Sequence, residues 1–129
     1  MKQWAYEMTH QDLVTEFADV CARLGTVNSG LVISMTGSSR HARDVQYLEG
    51  VLMARLDGVQ PPFKRDHVVH AKIKNGATSM GLSRIVLKQD QPVTIHRIHY
   101  DKGRWLLEFR GVSNRERESP LFSASDFVL

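Results

Sequence analysis

Two stretches in the first 60 residues carry apolar side chains at helical spacing. In the first stretch these residues are Leu13, Phe17, Val20 and Leu24, flanked by Val14 and Cys21. Steps of three and four residues place them on one face of a helix. Thr9 is a suitable N-cap, Asp12 occupies the third helical position, and Gly25 is a stop signal. The pattern predicts a helix over residues 9–24.

The second stretch begins after Ser38 or Ser39, either of which can cap a helix, and reaches about Leu56 before Gly58. Its predicted inward face consists of Val45, Leu48, Leu52 and Leu56. Between the two helices, the apolar run at residues 31–33 is bounded by turn-forming residues. It predicts one short strand within residues 27–35.

Beyond Pro61 and Pro62 the pattern changes from helical to strand-like. We predict strands at residues 68–73, 84–87, 93–100 and 104–112, a tight hairpin turn at 101–103, and a loop from residue 111 to 118. A terminal segment follows at residues 121–129. In residues 93–98 the apolar alternation slips by one position, which predicts a β-bulge or a sharp bend.

Three segments of this second half resemble parts of Src-homology-3-like small barrels, including compact ones from bacteria and phages. Residues 93–98 resemble the strand that follows a turn in those barrels. Residues 104–109 resemble its hairpin partner, with Trp105, Leu107 and Phe109 on one face. Residues 122–127 resemble the short turn before the closing strand. The resemblance covers about half the chain and implies a binding module for proline-rich peptides, nucleic acid or other protein surfaces.

The expected fold class is therefore α+β. Residues 1–60 are predicted to form a helix–strand–helix region, packed on an SH3-like β-barrel of residues 61–129. The barrel alone is small for a stable core, and the helices need cover for their apolar stripes. We therefore expect the two regions to form one compact unit.

Charge divides unevenly between these regions. Residues 1–60 carry five Lys/Arg and seven Asp/Glu (5 − 7 = −2), and residues 61–129 carry twelve and seven (12 − 7 = +5), which sum to +3. A basic region favours nucleic acid or an acidic partner. The predicted contact residues are Arg97, Lys102, Arg104, Arg110, Arg115 and Arg117. Trp105 alternates with Leu107, which indicates a core position rather than a base-stacking one.

Two further surfaces are candidates. Backbone N–H groups at the start of the second helix, with Ser38, Ser39 and Arg40, form a candidate anion site, for which an ordinary N-cap is the alternative. Tyr47, Gly50 and Ala54 form a candidate contact surface on the side of that helix away from its predicted inward face. A glycine inside a helix suits the close approach of another helix, a partner or a second copy; tolerance on an exposed face is the alternative.

Candidate chemistry is sparse. The pairs His67/His70 and His96/His99 lie in predicted strands, where residues three apart point to opposite faces, so neither pair chelates a metal alone. Cys21 lies on an apolar helix stripe, and the nucleophile motif G-x-S-x-G is missing. We expect no cofactor, no bound metal and no enzymatic activity.

The single cysteine rules out an internal disulfide, the N-terminus lacks the pattern of a secretory signal, and no apolar run reaches the ~20 residues that span a bilayer. We expect a cytoplasmic protein without membrane contact. The predicted function is that of a non-catalytic accessory protein, of a kind encoded by phages or mobile elements. It would bind another macromolecule through the barrel or the barrel–helix junction, and a protein is the first candidate for this partner. The alternative is a nucleic-acid-binding module that uses the arginine-rich half. A homodimer is compatible with both.

Overall fold

A computed structural model describes residues 4–25, 40–81, 83–115 and 118–129. The strand predicted within residues 27–35 lies outside the described residues. The chain divides into two compact units, Met1–Val59 and Gln60–Leu129, which are described one at a time.

The described residues of the first unit form a 3-10 helix (Ala5–Glu7) and two α-helices, α1 (His10–Gly25) and α2 (Arg40–Asp57). The Asp12 backbone N–H donates to Thr9 Oγ1 at 3.1 Å, which confirms the predicted N-cap. Leu13 and Val20 of α1 are buried against α2, and Met8 packs against the same cluster. Apolar contact between the helices therefore forms the core of this unit.

The inward face of α2 differs from the predicted one. Leu48 is buried, and Val45 and Leu52 pack partly buried against the same core, as predicted. The buried side chains also include Tyr47, Val51 and Ala54, however, and Leu56 is 79 % exposed. At about 100° per residue, Leu56 lies about 80° around the helix from Leu48, on the side away from Val51. The prediction for Leu56 is wrong because the core-facing stripe follows Tyr47 and Val51.

The second unit is built from short antiparallel strands. These are β1 (Val68–Ala71), β2 (Ala77–Thr78), β3 (Val86–Leu87), β4 (Val93–Asp101), β5 (Arg104–Phe109), β6 (Phe122–Ser123) and β7 (Phe127–Val128), with a 3-10 helix (Ala124–Asp126) before β7. The first sheet has the order β6-β5-β4-β1-β7, and β2 and β3 form a separate two-stranded ribbon. With the two α-helices of the first unit, the fold class is α+β.

The β4–β5 hairpin has the turn and the irregularity that its sequence predicts. Lys102 and Gly103 both have positive φ angles, 50° and 82°, as a two-residue type I′ turn requires. A register shift between Ile95 and Arg97 confirms the predicted bulge in β4. β5 ends at Phe109 rather than at residue 112, close to Gly111, whose φ of 71° turns the chain.

The five-stranded sheet is strongly curved. Its edge strands, β6 and β7, would lie about 19 Å apart in a flat sheet, which has four strand spacings of roughly 4.8 Å. The four steps from Ser123 to Phe127 span at most about 14 Å. The rings of Phe122 and Phe127, one from each edge strand, have centroids 5.7 Å apart. The sheet must therefore curl so that its edges approach each other.

The concave side of this sheet holds the core of the second unit. Phe109 contacts Phe122 and Phe127 with ring centroids 5.4 and 5.0 Å apart. Ile95 and Ile98 of β4 and other apolar side chains of the sheet are fully buried as well. The opposite side of the β4–β5 hairpin carries the polar side chains of Arg97, His99 and Glu108 together with the buried Leu106.

Candidate binding surfaces

The β2–β3 ribbon has one buried face and one exposed face. The buried or half-buried positions of the ribbon are Ala77, Ser79, Ile85 and Leu87, and the exposed positions that alternate with them are Thr78, Met80, Arg84, Val86 and Lys88. We call the second set the outer ribbon face. Thr78 lies directly opposite Val86, so both strands contribute to it. Met80 is 42 % exposed and Val86 is 51 % exposed.

Hydrogen bonds at several points fix the shape of the ribbon. Ser79 N–H donates to the Ile85 carbonyl, and the Ile85 N–H donates to Ser79 Oγ, both at 2.9 Å. Met80 N–H donates to the Leu121 carbonyl at 2.8 Å. Gln89 Nε2 donates to the Lys72 carbonyl at 3.0 Å and so joins the two ends of the segment. Backbone and side-chain hydrogen bonds together thus hold the strands that carry the outer ribbon face.

Gly76 permits the close approach of the two ribbon strands. Its φ is 90°, and a Cβ at this position would lie 2.4 Å from the Leu87 carbonyl oxygen. Only glycine fits this position without a shift of the backbone.

The ribbon segment is basic throughout. Between Asp66 and Asp90 the sequence contains no acidic residue and four cations, namely Lys72, Lys74, Arg84 and Lys88. All four are exposed. This surface was not among the predicted sites, although the 23-residue gap between Asp66 and Asp90 is visible in the sequence (90 − 66 − 1 = 23). The predicted nucleic-acid contact residues, which start at Arg97, all follow this segment in the sequence.

A buried polar network crosses the convex side of the β4–β5 hairpin. Arg97 Nε and Nη2 donate to Glu108 Oε1 and Oε2, both at 3.3 Å. His99 Nε2 lies 2.9 Å from Glu108 Oε1. Glu108 and His99 are 3 % and 4 % exposed. Arg97 is therefore an internal structural partner of Glu108.

The bulge in β4 creates this network. Ile95 pairs with Phe109, so an unbroken register would place His96 opposite Glu108 and Arg97 opposite Leu107 on the apolar side. The extra residue moves Arg97 opposite Glu108 instead. A β-bulge thus redirects a cation from the core side to the polar side of the sheet.

The network alters the acidity of its members. Burial alone would raise the pKa of Glu108, but the hydrogen bond with His99 and the charge of Arg97 outweigh it and lower the pKa to about 2. In the bulge, burial together with the nearby arginine charges lowers the pKa of His96, whose Nδ1 is buried without a hydrogen-bond partner. Glu108 is therefore ionised across the physiological pH range.

The other residues predicted to contact nucleic acid or an acidic partner are not members of this network. Arg110 pairs with Asp66 at 2.6 Å and Arg104 with Asp101 at 3.3 Å, each about half exposed. Lys102 is exposed in the β4–β5 turn, and Arg115 is exposed in the loop after β5. Arg117 lies outside the described residues. Trp105 packs against Tyr100 in a tilted arrangement, with ring centroids 4.7 Å apart.

Of the candidate anion site, Ser38 and Ser39 lie outside the described residues, and Arg40 is the first residue of α2. The candidate contact surface of α2 belongs to the core of the first unit. Tyr47 and Ala54 are buried, as is Gly50. Tyr47 contacts the rings of Trp4 and Tyr6 of the same chain. The interpretation of this side of the helix as an exposed face is wrong.

Across the described ranges, no group of three or more His, Cys, Asp or Glu side chains is arranged to hold a metal ion. None of the helices within these ranges is both long and apolar enough to cross a membrane.

Comparisons of the chain with protein-family models, with curated proteins and with solved structures found no match.

Proposed function

We propose that this chain is a non-catalytic accessory protein that binds another protein through its second unit, and that this unit is an SH3-like small barrel. Three features support the barrel: the strand order β6-β5-β4-β1-β7, the bulged central strand β4, and the 3-10 helix directly before the last strand. The curvature that brings the two edge strands together supports it further. A fold of this kind presents surfaces for binding, and the site on it decides the function.

The observation that carries the proposal is the outer ribbon face. Met80 and Val86 expose about half of their side chains there, and Ile73 in the adjoining turn is 62 % exposed. Large apolar side chains on a segment that hydrogen bonds already hold in place favour binding, since little conformational entropy is then lost on association. Clustered exposed apolar groups with a polar rim are typical of protein-binding surfaces.

Nucleic acid is the alternative, and its predicted contacts support it less well. Arg97 is bound to a buried carboxylate, and Arg104 and Arg110 each form an ion pair. Trp105 packs on Tyr100. A phosphate would have to compete with the carboxylates that already hold these guanidinium groups.

Site-specific cross-linking tests the proposal. A photoreactive amino acid replaces Val86 on the outer ribbon face or, as the matched control, Lys102 in the β4–β5 turn. After irradiation in a lysate of the source organism, we expect a discrete protein adduct from position 86 and none from position 102. An adduct that nuclease removes, adducts only from position 102, or no adduct at either position would contradict the proposal.

A further inference from the structure

We propose that the occupant of the outer ribbon face is an acidic peptide segment that carries apolar side chains among its carboxylates. This inference rests on the proposed protein-binding function and specifies the chemistry of the partner. It is carried by the way in which cations and apolar side chains share one hydrogen-bonded, two-stranded surface.

Charge gives the first part of the argument. Arg84 and Lys88 lie on the outer ribbon face, and Lys72 and Lys74 lie at its end, where the Gln89 side chain joins the two ends of the segment. Since no acidic residue lies between Asp66 and Asp90 in the sequence, none within the segment itself neutralises these four cations. An acidic partner would be attracted to this segment and would associate faster at low salt.

The alternation along β3 and the residues that flank it gives the second part. Arg84, Val86 and Lys88 follow one another at intervals of two positions and are all exposed, so a cation, an apolar side chain and a second cation lie in turn on the same face. Met80, which follows β2 by two residues, is an exposed apolar residue on that face as well. An extended partner with apolar and acidic side chains in alternation would match this order.

The same composition argues against two other occupants. Residues 64–99 contain no Phe, Tyr or Trp. Proline-rich peptides dock in grooves lined by aromatic side chains, and single-stranded nucleic acids stack their bases on them. A ribbon with aliphatic anchors and cations lacks both features, which leaves an acidic, partly apolar peptide as the best-matched partner.

Selection from a random peptide library displayed on phage, with the full chain as bait, tests the inference. We expect the enriched peptides to carry net negative charge and at least two large apolar residues. Failure to enrich any peptide would count against the proposed function itself. Enrichment of basic, neutral or proline-rich peptides that still require Val86 would overturn only the acidic-partner inference.

Fluorescence anisotropy with one enriched peptide then locates the contact. The double variant R84E/K88E should weaken binding by at least about tenfold, and V86D should do the same by removing the apolar anchor. The control K102E/R104E, which reverses two exposed charges on the β4–β5 turn, should leave the affinity within about twofold. Circular dichroism shows whether each variant is folded.

Three results would overturn the inference. These are an affinity unchanged by R84E/K88E, an equal loss in the control, and displacement of the peptide by a single-stranded oligonucleotide at comparable concentration. The last result would assign the surface to nucleic acid.

Discussion

Acid should destabilise the second unit through protonation of Glu108. Its pKa is about 2 in the folded protein against 4.5 as the ordinary value. A lowered pKa means that the ionised group stabilises the fold above pH 4.5, and that this stabilisation is lost as the pH falls toward 2. At about 1.4 kcal/mol per pKa unit, the loss is about 3 kcal/mol of unfolding free energy.

Urea unfolding at a series of pH values measures this loss. The chain has two tryptophans, Trp4 in the first unit and Trp105 in the second. In a Trp4→Phe background the fluorescence of Trp105 reports on the second unit. We expect the unfolding free energy to fall by about 3 kcal/mol between pH 5 and pH 2, and Glu108→Gln to remove most of that dependence.

At neutral pH, Glu108→Gln should destabilise the unit by about 3 kcal/mol, because it leaves a largely buried Arg97 without its anion. Asp101→Asn is the matched control, since it breaks an exposed pair, and should change stability by less than about 1 kcal/mol. If the Glu108→Gln variant showed the same slope between pH 5 and pH 2 as its parent, the buried network would not be the source of acid sensitivity.

Two further substitutions test the local structure of each unit. Gly76→Ala should lower the unfolding free energy of the second unit by roughly 2 kcal/mol or more in urea unfolding, because the new methyl group clashes with the Leu87 carbonyl and the φ angle is positive. Gly81→Ala is the control, since Gly81 has a similar φ but open space around it, and should lower the unfolding free energy by only about 1 kcal/mol. Equal losses would mean that the ribbon strands do not approach as closely as described. Thr9→Ala should lower the unfolding free energy of the first unit by about 1 kcal/mol, because the N-cap of α1 is lost; Trp4 fluorescence follows the unfolding. Thr15→Ala, at an exposed position in the middle of α1, is the control and should leave the unfolding free energy unchanged or slightly higher. A Thr9 variant as stable as its parent would contradict the capping role.

Signals that act over a few residues predicted much of the fold. The Thr9 cap and the type I′ turn at Lys102 and Gly103 depend on side-chain chemistry within one turn of the chain. The bulge in β4 was predictable because a strand that buries Val93, Ile95 and Ile98 on one face needs an extra residue between the last two. Each of these features is independent of where distant segments lie.

Features that depend on register or on distant contacts were not predictable in the same way. Glu108 and Arg97 pair only because the bulge shifts one strand by a residue. The sequence predicts the hairpin and a bulge or bend in β4, but not the register that places Arg97 opposite Glu108. β2 was missed because Ala77 and Thr78 form only two residues of strand, fixed by pairing with β3. The inward face of α2 was predicted only in part, because Tyr47 is buried by the chain's own N-terminal segment, which no periodicity reveals.

Amide chemical-shift mapping tests the central claim most directly. Isotope-labelled full-length protein is titrated with an acidic peptide from the library selection, and the shift of every assigned backbone amide is followed. We predict saturable shifts concentrated in residues 72–88, with little change around Lys102 and Arg110. Shifts concentrated on the β4–β5 hairpin, or none at saturating peptide, would contradict the assignment of the outer ribbon face as the binding surface.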